Sequence, residues 1–297
     1  METILKTLSS IPAPSGSEKN ISEAIRGFLT HLEVWTDAHG TLIAHKKGSG
    51  ESTVILSAMD TPCFYITYVE NDGFSRFNAV GGLKGEVGTA VLCENGAYGV
   101  IGADENGKFI DTGSISLAVG MWAVPVPSFY SLDADTVSGA SMGQYAAMAA
   151  VLSCAIKSTT KDAYFVFGAK SYIRQFSPSF MQSFSASRLI SVEVSEANDT
   201  PASKTVFASL GKGTTLRVKD ETMLSSLSLI EALETSPYKT YREISSHRGI
   251  GGTLQKAYGG MESAAIGIPV RCFGAPCEIV SLKDIENTAA LLSYMLQ

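Results

Sequence analysis

Residues 53–60 read Thr53-Val54-Ile55-Leu56-Ser57-Ala58-Met59-Asp60. A short apolar run with β-branched residues that stops at a carboxylate reads as a buried strand presenting an acid at its carboxyl end. On its amino-terminal side, Pro12 and Pro14 hold a turn, and Ser15-Gly16-Ser17-Glu18 offers a capping box. Ile21, Ile25, Phe28 and Leu32 then fall on one helical stripe. On its carboxyl side the texture changes. Glycines crowd positions 73, 81, 82, 85, 88, 96, 99, 102, 107, 113 and 120, and Asn71-Asp72-Gly73, Asn95-Gly96 and Asn106-Gly107 punctuate the runs Phe64–Val69, Ala90–Cys93 and Tyr98–Ile101. Asn-Gly between β-prone runs is a hairpin signal, so this stretch is expected to form a small all-β module. After Pro127 the helix and strand alternation returns. Met142, Ala146, Ala149 and Leu152 predict a helix; Ala163–Phe167, Leu189–Val194 and Ile268–Phe273 predict strands. Met223, Leu227, Ile230 and Glu234 predict another helix, and Ser281-x-x-Asp284 opens a last one. The expected fold class is α/β: a three-layer αβα domain over residues 1–63 and 134–297 with a mostly parallel sheet, and a β-rich insertion over 64–133. Ligands of such sheets sit at the carboxyl ends of strands.

Composition narrows the function classes. The chain has 297 residues, 45% hydrophobic and only 18% charged. That is below the ~25% usual for charged residues and points to large buried or subunit-contacting faces. A net charge of −6 argues against nucleic acid or an anionic membrane as a general partner. No apolar run approaches the ~18–20 residues of a membrane span, and Met1-Glu2-Thr3 does not begin like a signal peptide. Five scattered cysteines without a CxxC pair suit reduced thiols in the cytoplasm.

The ordered series Ile11-Pro12-Ala13-Pro14-Ser15-Gly16-Ser17-Glu18, Leu56–Asp60, Val80-Gly81-Gly82, Gly99-Val100-Ile101-Gly102, Asp111-Thr112-Gly113, Val192-Glu193-Val194, Asp199-Thr200-Pro201, Leu210-Gly211-Lys212-Gly213, Gly251-Gly252-Thr253 and Pro276-Cys277-Glu278 resembles the tetrahedral, or glutamyl (deblocking), aminopeptidases. The resemblance spans nearly the whole chain. It implies a peptidase-type α/β domain with an inserted barrel-like dimerisation domain, and dimers that build a hollow dodecamer. It also implies two divalent metals, usually zinc or cobalt, with a glutamate as general base.

Carried over position by position, that chemistry is depleted. The family's His-x-Asp is Ala58-Met59-Asp60 here, so only Asp60 is left as a vestige of a catalytic group. The family's Leu-Asp-Asp-Arg is Met142-Gly143-Gln144-Tyr145, with Gly143 at the bridging carboxylate. The Glu-Glu pair is Ser171-Tyr172, with Ser171 in place of the base. The last histidine is Gly274. Only Glu193 keeps an acid at a metal-ligand position. One carboxylate of five ligands cannot hold two divalent ions. The expectation is a family member without peptidase chemistry and without a cofactor, serving as a structural or regulatory subunit. It would be at least a homodimer through the β module, with the dodecamer and an active paralogue as further partners left open. The competing expectation is an active metal-dependent aminopeptidase releasing N-terminal residues from short peptides. Cys63, Cys272 and Cys277 lie near these positions in sequence and are carried as cleft residues, against the plainer reading of small buried hydrophobes. His247-Arg248-Gly249-Ile250-Gly251-Gly252-Thr253 is weighed as an anion cradle of backbone N–H groups against an ordinary glycine-rich turn. A Ser171–His247 nucleophile pair lacks the elbow such sites need.

Overall fold

The computed structural model describes residues 1–297 other than 158, 202, 204 and 205. The strands are β1 (Glu33–Thr36), β2 (Leu42–Lys46), β3 (Ser49–Ala58), β4 (Cys63–Val69), β5 (Ser75–Val80), β6 (Ala90–Cys93), β7 (Tyr98–Asp104), β8 (Gly107–Asp111), β9 (Trp122–Pro125), β10 (Tyr130–Ser131), β11 (Thr136–Gly139), β12 (Lys161–Gly168), β13 (Arg188–Glu196), β14 (Thr214–Lys219), β15 (Thr240–Ile244), β16 (Glu262–Arg271) and β17 (Glu278–Ser281). The helices are α1 (Glu2–Ser9), α2 (Lys19–Phe28), α3 (Met142–Ile156), α4 (Leu227–Glu234), α5 (Gly251–Gln255) and α6 (Leu282–Met295).

The large sheet runs β1-β2-β12-β3-β13-β16-β17-β11-β10, with β14 and β15 branching from β16. Its centre, β12-β3-β13-β16, is parallel, as the buried apolar runs predict. Toward both edges the pairing turns antiparallel. For the hairpin pairs the reason is connection length: β1 to β2, β10 to β11 and β16 to β17 are joined by about four to six residues, too few for the crossover that parallel pairing needs. The two-residue link from β2 to β3 passes directly over β12, and a Cβ on Gly48 would lie 2.3 Å from the carbonyl carbon of Lys161.

Alternation along β3 sends Ile55 to one core and Val54 and Leu56 to the other. The first core is the larger. It is built on α3, which is apolar on every side because the sheet lies beneath it and α1, α2 and α6 enclose it. The second outer layer is thin: α5, a 3-10 turn at Pro178–Ser183 and the aromatics Phe176, Phe180 and Phe184 cover Val54, Tyr164 and Leu189. Among the described residues no helix is long and apolar enough to cross a membrane.

The glycine-dense stretch closes into a six-stranded barrel, β4-β5-β8-β7-β6-β9, around Phe64, Ile66, Val91, Ile101 and Ile110. The three Asn/Asp-Gly turns join β4 to β5, β6 to β7 and β7 to β8. Its last strand ends at Pro125, and residues 130–131, expected inside the insertion, belong to the large sheet. Asp133 explains this: its carboxylate accepts the backbone N–H groups of Asp135 and Thr136 and closes a β10–β11 hairpin. Two other local expectations change. Met223 lies before α4 because its N–H is held by Asp220, and Phe273 lies beyond β16 in the turn that begins at Cys272. The expected capping box does not form. Glu18 accepts the N–H groups of Gly16 and Lys170, and the Ser15 hydroxyl accepts that of Ile173. Both side chains are recruited by the turn after β12 instead of by their own helix.

Candidate functional site

Four parallel strands deliver their carboxyl ends to one cavity of about 500 Å³. Ala58 ends β3, Ser171 and Tyr172 follow β12, Glu193 lies late in β13, and Gly274 sits in the turn after β16. All five line the cavity, together with Gln144 from the first turn of α3. Positions far apart in sequence are therefore brought together, while Gly143, also in the first turn of α3, does not line the cavity. Asp60, two residues past β3, lies just behind the wall and is fully buried.

The polar groups here are satisfied by one another. Asp60 Oδ1 accepts the Ser171 hydroxyl at 2.5 Å, and its Oδ2 accepts the Tyr172 N–H at 3.0 Å. Burial pushes the Asp60 carboxyl up to about 6, against the pull of hydrogen bonds from Ser15, Ser171 and Tyr172. The Tyr172 hydroxyl donates to Gln144 Oε1 at 3.1 Å, and Gln144 Nε2 donates to the Ala58 carbonyl at 2.6 Å. Burial holds the Tyr172 phenol well above its ordinary pKa. The ring lies so close to Gly81 of the barrel entrance that a Cβ there would be 2.6 Å from it.

Sequence reasoning did not single out Glu278 as a site residue. It is 4% exposed, and its two oxygens accept the N–H groups of Gly143 at 2.8 Å and Gly274 at 2.9 Å. Gly143 and Gly274 are thus tied together by one carboxyl, which burial pushes up to about 7. Glu193 accepts from Ser191, from Ile250 N at 3.1 Å and from Gly251 N at 3.4 Å. Burial raises its pKa, and the neighbouring Arg217 guanidinium opposes that. Arg217 is itself 1% exposed, lies 3.7 Å from Asp220 and donates to the Val194 carbonyl.

The remaining sequence candidates separate. None of Cys63, Cys272 and Cys277 lines the cavity. Cys63 is buried in β4, where desolvation raises its thiol to about 12, while Cys272 and Cys277 are exposed on the turn. Among the described residues no group of three or more His, Cys, Asp or Glu is arranged to hold a metal ion. Ser171 and His247 both face the cavity but serve different acids, Asp60 and Glu196. The backbone cradle weighed at 247–253 is taken up internally, since Gly249 N donates to Asp220 and the next two N–H groups to Glu193.

The M42 glutamyl aminopeptidase family model matches residues 101–291. The chain is 30% identical to an Acetivibrio thermocellus protein named "Putative aminopeptidase", over 98% of this chain and 97% of that one. Among solved structures, an aminopeptidase from the archaeon Desulfurococcus kamchatkensis superposes with a TM-score of 0.92 at 22% identity, covering 99% of this chain and 94% of the other. The Pyrococcus horikoshii TET1 peptidase superposes with a TM-score of 0.86 at 20% identity, covering 99% and 98%.

Proposed function

The chain belongs to the M42 glutamyl aminopeptidase family, and on that premise we propose that it is a non-catalytic member, a pseudo-peptidase that works as a structural or regulatory subunit. One observation carries this reading: the acids around the cavity already have internal partners. Asp60 is closed by Ser171 and Tyr172, Glu278 by two backbone N–H groups, and Glu193 by Ser191 and the 250–251 backbone.

This donor set does not fit two divalent ions. A metal pair needs several ionised oxygens or neutral imidazoles converging on each ion. Here the cavity offers a methyl group at Ala58, a glycine at 274 and a phenol ring, with Gly143 bound to Glu278 behind it, and the carboxyls of Asp60 and Glu278 are raised toward their neutral forms by burial. Ser171 lies at the position of the family's base, and its hydroxyl is spent as a donor to Asp60.

Assembly is the retained role in this reading. The barrel exposes Val87, Tyr98, Val100, Ile115 and Val119, apolar side chains that a subunit contact would cover. One solved relative is described as a dodecamer, and the Pyrococcus horikoshii peptidase as assembling into a tetrahedron or a large octahedral shell. We expect this chain to form at least a dimer through the barrel, alone or with an active paralogue. Static light scattering at micromolar concentration checks this, and a clean monomer refutes it.

The function test is turnover on aminoacyl chromogenic substrates and short peptides with cobalt, zinc or manganese added. The proposal predicts background rates. Chelator-sensitive release of N-terminal residues by the purified chain would instead make it an active metal-dependent aminopeptidase.

A further inference from the structure

The cavity is not electrostatically neutral toward ligands. Lys84 reaches it from the barrel segment between β5 and β6, Arg174 from the turn after β12, and Arg248 from the loop before α5. The chain holds eight arginines. Six have partnered guanidinium groups: Arg26 on the Val34 carbonyl and Thr36, Arg76 on Glu70 and Asp104, Arg188 on Glu262, Arg217 on the Val194 carbonyl and Asp220, Arg242 on Glu234 and Arg271 on Asp199. Among the described residues, the two whose guanidinium groups have no hydrogen-bond or ion-pair partner are Arg174 and Arg248, and both line this cavity. The Lys84 ammonium is likewise unpaired there. In a chain of net charge −6, acids to pair with are not scarce.

The acids of the same wall are engaged. Glu196 lies 2.9 Å from His247, and Glu193 takes the Ser191 hydroxyl and two backbone N–H groups. The cavity thus offers three unpaired cations, while its two carboxylates already hold internal partners. That is the wrong chemistry for a peptide's α-ammonium group and the right chemistry for oxyanions, which guanidinium groups bind bidentately. At about 500 Å³ it accommodates a small molecule.

We propose that this cavity binds a small multivalent oxyanion, carrying phosphate or more than one carboxylate, between Lys84, Arg174 and Arg248. The inference rests on the non-catalytic reading of the same site, since bound metals would change both its charge and its shape. Its test therefore measures metal content on the same sample, so that the two readings fail separately.

The experiment is isothermal titration of the full chain with inorganic pyrophosphate, with citrate, and with dialanine as a zwitterion bearing an ammonium group. Variants are Arg174→Gln with Arg248→Gln, and Lys212→Gln as an exposed lysine outside the cavity. All these side chains are exposed, so folding is not at stake. Pyrophosphate, citrate or both should bind, and the one that binds more tightly identifies the head group. Losing one charge-assisted contact costs about tenfold in affinity, so the double variant should lose roughly a hundredfold, while Lys212→Gln binds like the parent. Dialanine should give no heat. Failure of both anions to bind, equal weakening by Lys212→Gln, or full binding by the double variant overturns the proposal. Two metal equivalents per chain overturn the non-catalytic reading instead.

Discussion

Glu278 gives the site a pH signature whose sign separates a closed polar network from a cation-binding one. Its carboxyl is buried between the N–H groups of Gly143 and Gly274 and is pushed from about 4.5 up to about 7. Between those values the folded chain keeps a proton that the unfolded chain has released. Its contribution is therefore fully present below about pH 4.5 and is lost as pH rises through 7. At about 1.36 kcal/mol per unit, the loss between pH 5 and pH 8 comes to about 2.5 kcal/mol. Asp60, raised to about 6, adds a loss of the same sign at lower pH. Glu278→Gln isolates the first effect. Glutamine keeps one acceptor and turns an amide N–H₂ toward the other backbone donor, so it costs about 1–3 kcal/mol at pH 5. The gap should close or reverse by pH 8, because only the wild type pays for ionisation there. Urea unfolding at pH 5, 6, 7 and 8 measures this, with a relative midpoint shift of roughly 1 M. The chain has two tryptophans, Trp122 in the barrel and Trp35 packed on Tyr164 and Phe184. A Trp122→Phe background makes the fluorescence report the α/β part alone. Parallel profiles for variant and parent would refute the argument. So would a Glu278 contribution that grows with pH, which is what a cation beside the carboxylate would produce.

Three further outcomes follow from the same geometry. Gly81→Ala places a Cβ 2.6 Å from the Tyr172 ring at a φ of +79°, so it should destabilise by about 2–4 kcal/mol, read as a lower urea midpoint. A thiol-reactive chromophore should label Cys272 and Cys277 quickly in the native protein. Cys63, Cys93 and Cys154 should react only on unfolding, being buried with thiols raised to about 12, 11 and 11. Ala58→His alone and Ser171→Glu alone should leave aminopeptidase activity at background with added cobalt or zinc, because metal, water and base act as a unit.

Much of the architecture is legible in the sequence because burial dictates it. The 53–59 run, the 163–167 and 189–194 runs and the α3 stripe have no alternative to a covered parallel sheet, and the Asn-Gly turns fix the barrel hairpins. What is not legible depends on tertiary partners. Ser15 and Glu18 carry a local capping pattern yet bond the turn after β12, where they accept the N–H groups of Ile173 and Lys170. The antiparallel edges follow from short connections that only the final strand order reveals. At the site, positions 58, 171, 172, 193 and 274 line one cavity, with Gly143 held behind it by Glu278, whose role is not legible in the Pro276-Cys277-Glu278 stretch because its partners are backbone N–H groups that only folding brings to it. Lys84, Arg174 and Arg248 are isolated charges along the chain, and only folding brings them to one wall.

The most direct test of the central claim is the metal content of the purified chain. The protein is dialysed against zinc, then cobalt, freed of loosely bound ions and subjected to elemental analysis per mole of chain. A cavity whose acids are already closed on Ser171, Tyr172, Gly143, Gly274 and Ser191 should retain well under about one equivalent of either ion. Two tightly held equivalents, lost together to a chelator, would contradict it.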